Sequence, residues 1–287
     1  MGMRKVTINQ LHRMKSQKSP IVALGVYDAP MASIADQIGF EIFVIGNSGP
    51  MSLFGCKQST EVDPRELLYM TQGVSRVTER ALVVATMPYM SYQSSKSEAV
   101  KTAAWLVKKG GADCVQCHGN KAIVENIQAI VQAGIPVLAH IGLQSVNKVS
   151  QGGYRVHGKT AEEVKAIVED ALALVKAGVF AFTAELMVNQ LAVYLSHKFT
   201  APVLSLGSGP NTDGSYLVSG DAVGYSAFPS PKTAAQYTEV MPLIEVGLNS
   251  FVEEVRHNKI PYPENIHHMN PGEKELFESM LTEKEGR

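Results

Sequence analysis

The chain holds 287 residues, 45% of them hydrophobic and 18% charged, which is enough apolar material for one large core. Its 26 basic and 27 acidic residues leave a net charge of -1 with no dense run of either sign, which excludes an electrostatic footprint for nucleic acid or an anionic membrane. Cys56, Cys114 and Cys117 make no disulfide framework in a chain this long. No window reaches the roughly 20 apolar residues that span a bilayer, and the polar N-terminal segment lacks an apolar signal core. The expected location is therefore cytoplasmic, and the expected partner is a small uncharged or modestly acidic molecule.

Residues 7–17 read as a helix ahead of the first strand. Eight short runs rich in Val, Ile and Ala follow: Ile21–Val26, Ile42–Gly46, Leu82–Ala85, Asp113–Cys117, Pro136–His140, Val179–Ala184, Pro202–Leu206 and Ala222–Tyr225. Each is almost continuously apolar, the pattern of parallel strands buried on both faces. Between them lie helical segments with recognisable ends. Pro64 opens Arg65–Glu79, Gly110-Gly111 closes Ser95–Lys109, and Asn120–Ala133 and Thr160–Ala177 each stop at a glycine. Thr160 and Glu163 have capping-box spacing. Asn189–Phe199 and Thr233–His257 complete the set.

Strand–helix alternation repeated this often predicts a (β/α)8 TIM barrel with an extra N-terminal helix and a C-terminal helical extension. An open doubly wound sheet is the alternative, but no glycine-rich dinucleotide loop follows either of the first two strands. The predicted division is one barrel domain over 1–257 and a charged, proline-containing surface tail over 258–287.

The carboxyl ends of barrel strands form the functional face. In order they deliver Tyr27 and Asp28, Asn47 and Ser48, Thr86, then Gln116, Cys117 and His118, then His140, Glu185, Gly207-Ser208-Gly209, and Tyr225 with Ser226. Burying so many polar groups unpaired would cost about 1–3 kcal/mol each, whereas a shared wet pocket removes the difficulty. Glu185 ends the run Val-Phe-Ala-Phe-Thr-Ala, where a carboxylate is partly desolvated and suited to general acid–base work. The competing reading is a salt bridge to Lys148 or Arg155. His140 suits a hydrogen bond to a substrate oxygen, or is a satisfied core histidine. Cys114-x-x-Cys117 has metal-ligand spacing but lacks a second pair, and on a strand its members point to opposite faces. The glycine-rich stretch Gly207–Gly214 suits either an anion-binding loop or a tight turn. The loop after the fifth strand, with Gly152-Gly153-Tyr154-Arg155, suits a lid or wall.

These strings resemble the ketopantoate hydroxymethyltransferase family, in the phosphoenolpyruvate-mutase and isocitrate-lyase barrel superfamily. The matching stretches, from about residue 7 to 226, are Tyr27-Asp28, Ile45-Gly46-Asn47-Ser48 and Met87-Pro88-Tyr89-Met90-Ser91-Tyr92. They continue with His140-Ile141-Gly142-Leu143, Gln144-Ser145-Val146-Asn147 and Gly152-Gly153-Tyr154-Arg155-Val156-His157-Gly158. Ala184-Glu185, Gly207-Ser208-Gly209 and Thr212-Asp213-Gly214 close the set. The resemblance implies hydroxymethyl transfer from 5,10-methylenetetrahydrofolate to a branched 2-oxo acid on the route to pantothenate. It also implies a Mg²⁺ ion, a proton-transferring Glu185, substrate contacts at Ser48 and His140, and a homo-oligomer such as a decameric ring.

The departures from that pattern are as informative. Asn47 and Thr86 stand where family members carry aspartates, and Gln116-Cys117-His118 stands where they carry Lys-x-Glu. The hard oxygen ligands that Mg²⁺ prefers are thereby replaced. The candidate catalytic residues are Glu185, His140 and His118. The candidate substrate contacts are Ser48, Asn47, Thr86, Gln116, Tyr27, Asp28 and Ser208. His118 and Cys117 are the positions open to a softer ion. Three readings stay open: metal-free or altered aldol, C–C lyase or hydrolytic chemistry on a small 2-oxo or related carboxylic acid; the family reaction with an altered metal site; and a non-catalytic metabolite-binding barrel.

Overall fold

A computed structural model describes residues 4–147 and 149–285. The chain divides into two compact units, residues 1–239 and 240–287.

In the first unit, helix α1 (Ile8–Ser16) precedes strand β1 (Ile21–Gly25), α2 (Ala29–Ile38), β2 (Ile42–Ile45), α3 (Ser48–Phe54), α4 (Pro64–Ser75) and β3 (Leu82–Thr86). Next come α5 (Lys96–Gly110), β4 (Cys114–His118), α6 (Val124–Gln132), β5 (Val137–Gly142), α7 (Ala161–Ala177) and β6 (Ala181–Glu185). The unit ends with α8 (Asn189–Lys198), β7 (Val203–Leu206), β8 (Gly214–Val218) and α9 (Ser219–Val223). The eight strands form a closed, all-parallel barrel in sequence order, with β8 returning onto β1 through the register Ile21↔Gly214 to Gly25↔Val218. The predicted TIM barrel is therefore the fold, N-terminal helix included.

Seven strands lie where the apolar runs placed them, and the eighth does not. Ala222–Tyr225 falls at the end of α9 and in the turn after it, while β8 begins at Gly214. No helix separates β7 from β8. Residues 207–213 run straight back to the opposite end of the barrel, where the Asp213 carbonyl accepts the Ile21 N–H. Asp213 thus sits at the amino-terminal face, paired with Lys15 of α1 at 2.8 Å.

Strand side chains alternate between barrel interior and helix layer. Ile21, Ala23, Ile42, Val44, Leu82, Val84, Cys114, Leu138, Ala181 and Leu204 form one buried interior cluster, closed by Val6 and Leu11. The intervening residues, among them Val115, Cys117, Ala139, Phe182 and Ala184, pack outward against α5 to α8. Toward the carboxyl end the interior positions turn polar: Val84 is followed by Thr86, Cys114 by Gln116 and His118, Leu138 by His140, and Ala181 by Thr183 and Glu185. The apolar end is filled by its own side chains; the polar end is where the barrel holds chemistry.

Three helix limits differ from expectation: α4 ends at Ser75, short of Glu79, and two others differ for local reasons. Asn120 accepts the Ala122 N–H, a turn that competes with helix, so α6 starts at Val124. In the second unit, helix α10 spans Met241–Arg256, not 233–257, and its early Pro242 fits a helix start. Helix α11 (Glu273–Glu285) occupies much of the segment read as a tail. At Thr160 the hydroxyl caps α7 as expected, while the Glu163 carboxylate accepts the Gly158 and Lys159 N–H groups instead of closing a capping box.

Candidate active site

Strands β4, β5 and β6 bring three titratable side chains together. His140 Nε2 lies 2.7 Å from Glu185 Oε2 and 2.9 Å from the Leu143 carbonyl. Both neighbours are acceptors, so Nε2 carries a hydrogen, while the buried Nδ1 has no hydrogen-bond partner among the described residues. The Leu143 N–H donates to the Glu185 carbonyl, closing a small ring of bonds that holds backbone and carboxylate together. Gly142 makes the ring possible. It has φ +87°, and any side chain there would strike the Glu185 carbonyl.

His118 stacks on His140, with ring centroids 4.3 Å apart. Tyr92 fixes its backbone by accepting the His118 N–H and donating to the His118 carbonyl. Burial, and secondarily the neighbouring His140, hold the His118 imidazole well below its ordinary pKa, so it is neutral near pH 7.

Next to the imidazoles lies a neutral chain. Thr86 Oγ1 donates to Gln116 Oε1 at 2.9 Å, and Gln116 Nε2 donates to Thr183 Oγ1 at 3.1 Å. All three side chains are buried. Asn47 is also buried, with its Oδ1 unpartnered among the described residues. Tyr27 shares a very short hydrogen bond with Ser48. A methyl group on Gly46 would meet Ser48 Oγ at 3.6 Å and both Thr86 Oγ1 and Tyr216 Oη at 3.7 Å, so three hydroxyls face the space that this glycine leaves.

Several sequence expectations change here. Asp28 serves as a helix cap: its carboxylate accepts the Met31 N–H at 2.8 Å at the start of α2. Ser208 is committed to structure, donating to the Ala184 carbonyl and accepting the Met187 N–H. Cys117 faces the helix layer, away from His118, and cannot join it as a ligand. The Gly207–Gly214 stretch leaves the functional face, because it is the return segment to β8. Tyr225 and Ser226 do not end a strand. Arg155 pairs with Glu163 and not with Glu185, and Lys148 lies outside the described residues. Thr183 and Tyr216 were not anticipated. Counting back two residues from Glu185 would have found Thr183; Tyr216 was hidden by the misplaced eighth strand.

The loop after β5 is a pinned wall. Gln144 bonds the Gly119 carbonyl and the Asn147 amide, while Gln151 accepts the Gln144 N–H and donates to the Gly142 carbonyl. A cavity of about 160 Å³ beneath it is lined by the outward-facing Ile141 and by Ile167 and Asp170 of α7. It therefore lies between sheet and helices, separate from the imidazole pair.

The residues at the implied Mg²⁺ positions do not fit that ion. Asn47 Oδ1 is an amide oxygen with no partner among the described residues, Thr86 offers only a neutral hydroxyl oxygen whose hydrogen goes to Gln116, and His118 offers a nitrogen. A neutral amide and an imidazole are a poor set for a cation that demands hard, preferably anionic oxygen. Among the described residues, no group of three or more His, Cys, Asp or Glu side chains converges to hold a metal.

A closed parallel barrel gathering a carboxylate, two imidazoles and several hydroxyls at its strand ends defines an α/β-barrel enzyme. A phosphoenolpyruvate phosphomutase from Streptomyces platensis subsp. rosaceus shares the fold, with a TM-score of 0.59 at 12% identity over 97% of each chain. The chain belongs to the ketopantoate hydroxymethyltransferase family, whose model matches residues 5–264. It is 38% identical to the 3-methyl-2-oxobutanoate hydroxymethyltransferase of Moorella thermoacetica over 261 residues, 91% of this chain and 97% of that protein. The enzyme of the same name from Acetivibrio thermocellus is 36% identical over 263 residues, 91% and 92% of the two chains. No described helix is long and apolar enough to cross a membrane.

Proposed function

We propose that this chain makes or breaks a carbon–carbon bond beside the carbonyl of a small 2-oxo or related carboxylic acid, with Glu185 moving the proton and no Mg²⁺ in the site. The observation that carries this reading is the 2.7 Å contact between His140 Nε2 and Glu185 Oε2, within a ring of bonds that aims the carboxylate. Glu185 takes a proton from the carbon next to the carbonyl. The C–H electrons form the C=C bond, and the carbonyl π electrons move to oxygen. The enolate carbon then bonds to an aldehyde-level one-carbon unit, whose C=O π electrons move to its oxygen as that oxygen takes the proton from Glu185. In reverse, Glu185 takes the hydroxyl proton, the C–C bond breaks, and the enolate carbon is reprotonated. His140 orients the base, and neutral His118 stacks on the face of its ring. A carboxylate placed in this way contributes about 10²- to 10⁴-fold to such a step.

A second reading is the hydroxymethyl transfer of the relatives, with 5,10-methylenetetrahydrofolate as donor. The family match over residues 5–264 favours it. One experiment addresses both readings. In D2O with EDTA, the C3 hydrogen of 3-methyl-2-oxobutanoate is expected to exchange in the presence of the enzyme and to stop exchanging in Glu185→Gln. Consumption of the acid on adding 5,10-methylenetetrahydrofolate selects the second reading. No exchange, with or without divalent metals, sinks both. A homo-oligomer and a cytoplasmic location are part of the same proposal, from the family resemblance and the sequence respectively.

A further inference from the structure

The site contains one group that neither the sequence pattern nor the implied chemistry assigns, the phenol of Tyr216. It projects from β8 into the barrel interior and belongs to the interior cluster. Its Oη stands 3.2 Å from where a Gly25 methyl would be and 3.7 Å from a Gly46 methyl. Gly25, at the end of β1, lets the Tyr27 and Tyr216 hydroxyls pack close against its backbone, and Gly46, directly after β2, leaves open the methyl-sized space that the phenol faces. Ser48 Oγ borders the same space, and Tyr27 Oη would lie 2.8 Å from the Gly25 methyl. Tyr27 and Ser48 have two hydroxyl hydrogens and share one hydrogen bond, so one O–H remains free whichever of them donates. Thr86 is different, because its hydrogen is already given to Gln116. The space is thus bordered by two free O–H donors, that of Tyr216 and that of the Tyr27–Ser48 pair.

We propose that Tyr216, together with the Tyr27–Ser48 pair, binds the oxygen that becomes negative in the reaction, doing with neutral hydrogen bonds what a cation does in a metal-dependent barrel. This rests on the reading of the site as one that enolises a 2-oxo acid. The charge requirement is modest, because proton transfer to Glu185 moves a negative charge from carboxylate to enolate and creates none. Donors already in place where charge arrives need little reorganisation, which is how a set of hydroxyls stabilises an oxyanion. Burial keeps the Tyr216 phenol protonated, with Tyr27, Glu185 and Asp221 adding to the effect, so it remains a donor at all working pH values. The substrate class that follows is a planar 2-oxo acid whose carbonyl oxygen fits between β1, β2 and β8.

Oxalate, a planar mimic of the enolate of a 2-oxo acid, tests the cradle without turnover. Calorimetric titration of the full chain in EDTA is expected to give one oxalate per chain. Tyr216→Phe removes one O–H and is expected to weaken binding at least tenfold. Gly46→Ala adds a methyl at ordinary contact distance from the three hydroxyls, so it folds while filling the space; it too is expected to weaken oxalate at least tenfold. If Tyr216→Phe fails to fold, Gly46→Ala carries the test alone. Oxalate binding only after Mg²⁺ is added overturns the proposal, as does wild-type affinity in either folded variant. Wild-type protein that binds oxalate in EDTA with this dependence on Tyr216, yet exchanges no C3 hydrogen, keeps the cradle and defeats the enolisation reading. Exchange that proceeds with unchanged kcat and KM in Tyr216→Phe defeats the cradle alone.

Discussion

His118 lies flat on His140, the two ring planes only 8° from parallel. Two imidazoles so placed in a desolvated barrel cannot both carry charge, and His118 is the one whose pKa is driven well below its usual value, first by burial and then by His140. The unfolded chain takes up this proton near pH 6.5 and the folded chain does not. Stability is therefore expected to fall as pH drops below about 6.5, by about 1.4 kcal/mol per pH unit from this group alone, until the lower folded pKa is reached. Denaturant unfolding between pH 7 and pH 5 should show a shallower pH slope for His118→Gln than for wild type. Parallel slopes would mean that His118 is protonated in the fold.

The Glu185–His140 contact makes a kinetic prediction. Glu185→Gln is expected to lower C3 hydrogen exchange by roughly 100-fold or more, and His140→Gln by a smaller factor, because it loosens the base without removing it. The double variant should be little worse than Glu185→Gln, since an orienting group has nothing left to orient. Multiplicative losses, measured by NMR exchange at fixed pH, would show that His140 acts on substrate directly.

How far the site was legible from sequence depended on which residues share a face. Glu185, His140 and His118 stood out because each ends an apolar strand, and strand ends converge in any barrel. Asp28 and Ser208 looked equally suitable but serve as a helix cap and a backbone clamp, since caps draw on the same short oxygen-bearing side chains as ligand sites. Tyr216 was invisible for a topological reason. The direct β7-to-β8 return breaks the strand–helix rhythm, and the glycine-rich stretch 207–214 reads as either an anion-binding loop or a tight turn when residues 207–213 are the connection to β8. Asn47 and Thr86 stand out in the sequence by type, but only the fold shows that Thr86 gives its hydrogen to Gln116 while Asn47 Oδ1 has no partner among the described residues.

The neutral chain through Gln116 can be probed by stability alone. Thr86→Val leaves Gln116 Oε1 without its buried donor and is expected to cost about 1–3 kcal/mol. Gln116→Leu orphans Thr86 and Thr183 at once and should cost at least as much. The double variant should be less destabilised than the sum of the two, because the Thr86–Gln116 bond is lost only once. Urea midpoints for the four proteins decide the matter, and strict additivity would exclude a shared bond.

Gly142 separates backbone strain from collision. At Gly152, φ is +78° and the nearest atom to an added methyl is 3.8 Å away, so Gly152→Ala carries the left-handed cost alone, about 1–2 kcal/mol. At Gly142 the φ of +87° is compounded by the Glu185 carbonyl and the Met187 side chain, which both occupy the methyl position. Gly142→Ala is therefore expected to destabilise by about 3 kcal/mol or more and to displace Glu185, removing activity in whatever fraction still folds. Equal melting temperatures for the two variants would mean that the β5–β6 junction yields freely.

Lys15 offers the opposite case, a stability determinant far from the chemistry. Its ammonium closes the amino-terminal end of the barrel, reaching Asp213 at 2.8 Å and the carbonyls of Ser196 and Ala201 at 2.6 and 3.1 Å. Both partners of the ion pair are largely buried, and Asp213 also accepts the Val203 N–H. Lys15→Met keeps the length of the side chain but strands a buried carboxylate beside two unpaired carbonyls, at an expected cost of about 3–5 kcal/mol. Lys15→Met with Asp213→Asn should recover part of that loss, because the amide needs no counter-ion and can still serve the Val203 N–H. Since the pair lies at the end of the barrel opposite Glu185, C3 exchange per folded molecule should be unchanged in both variants. A proportionate loss of exchange would place Asp213 back at the functional face, where the sequence had first put it.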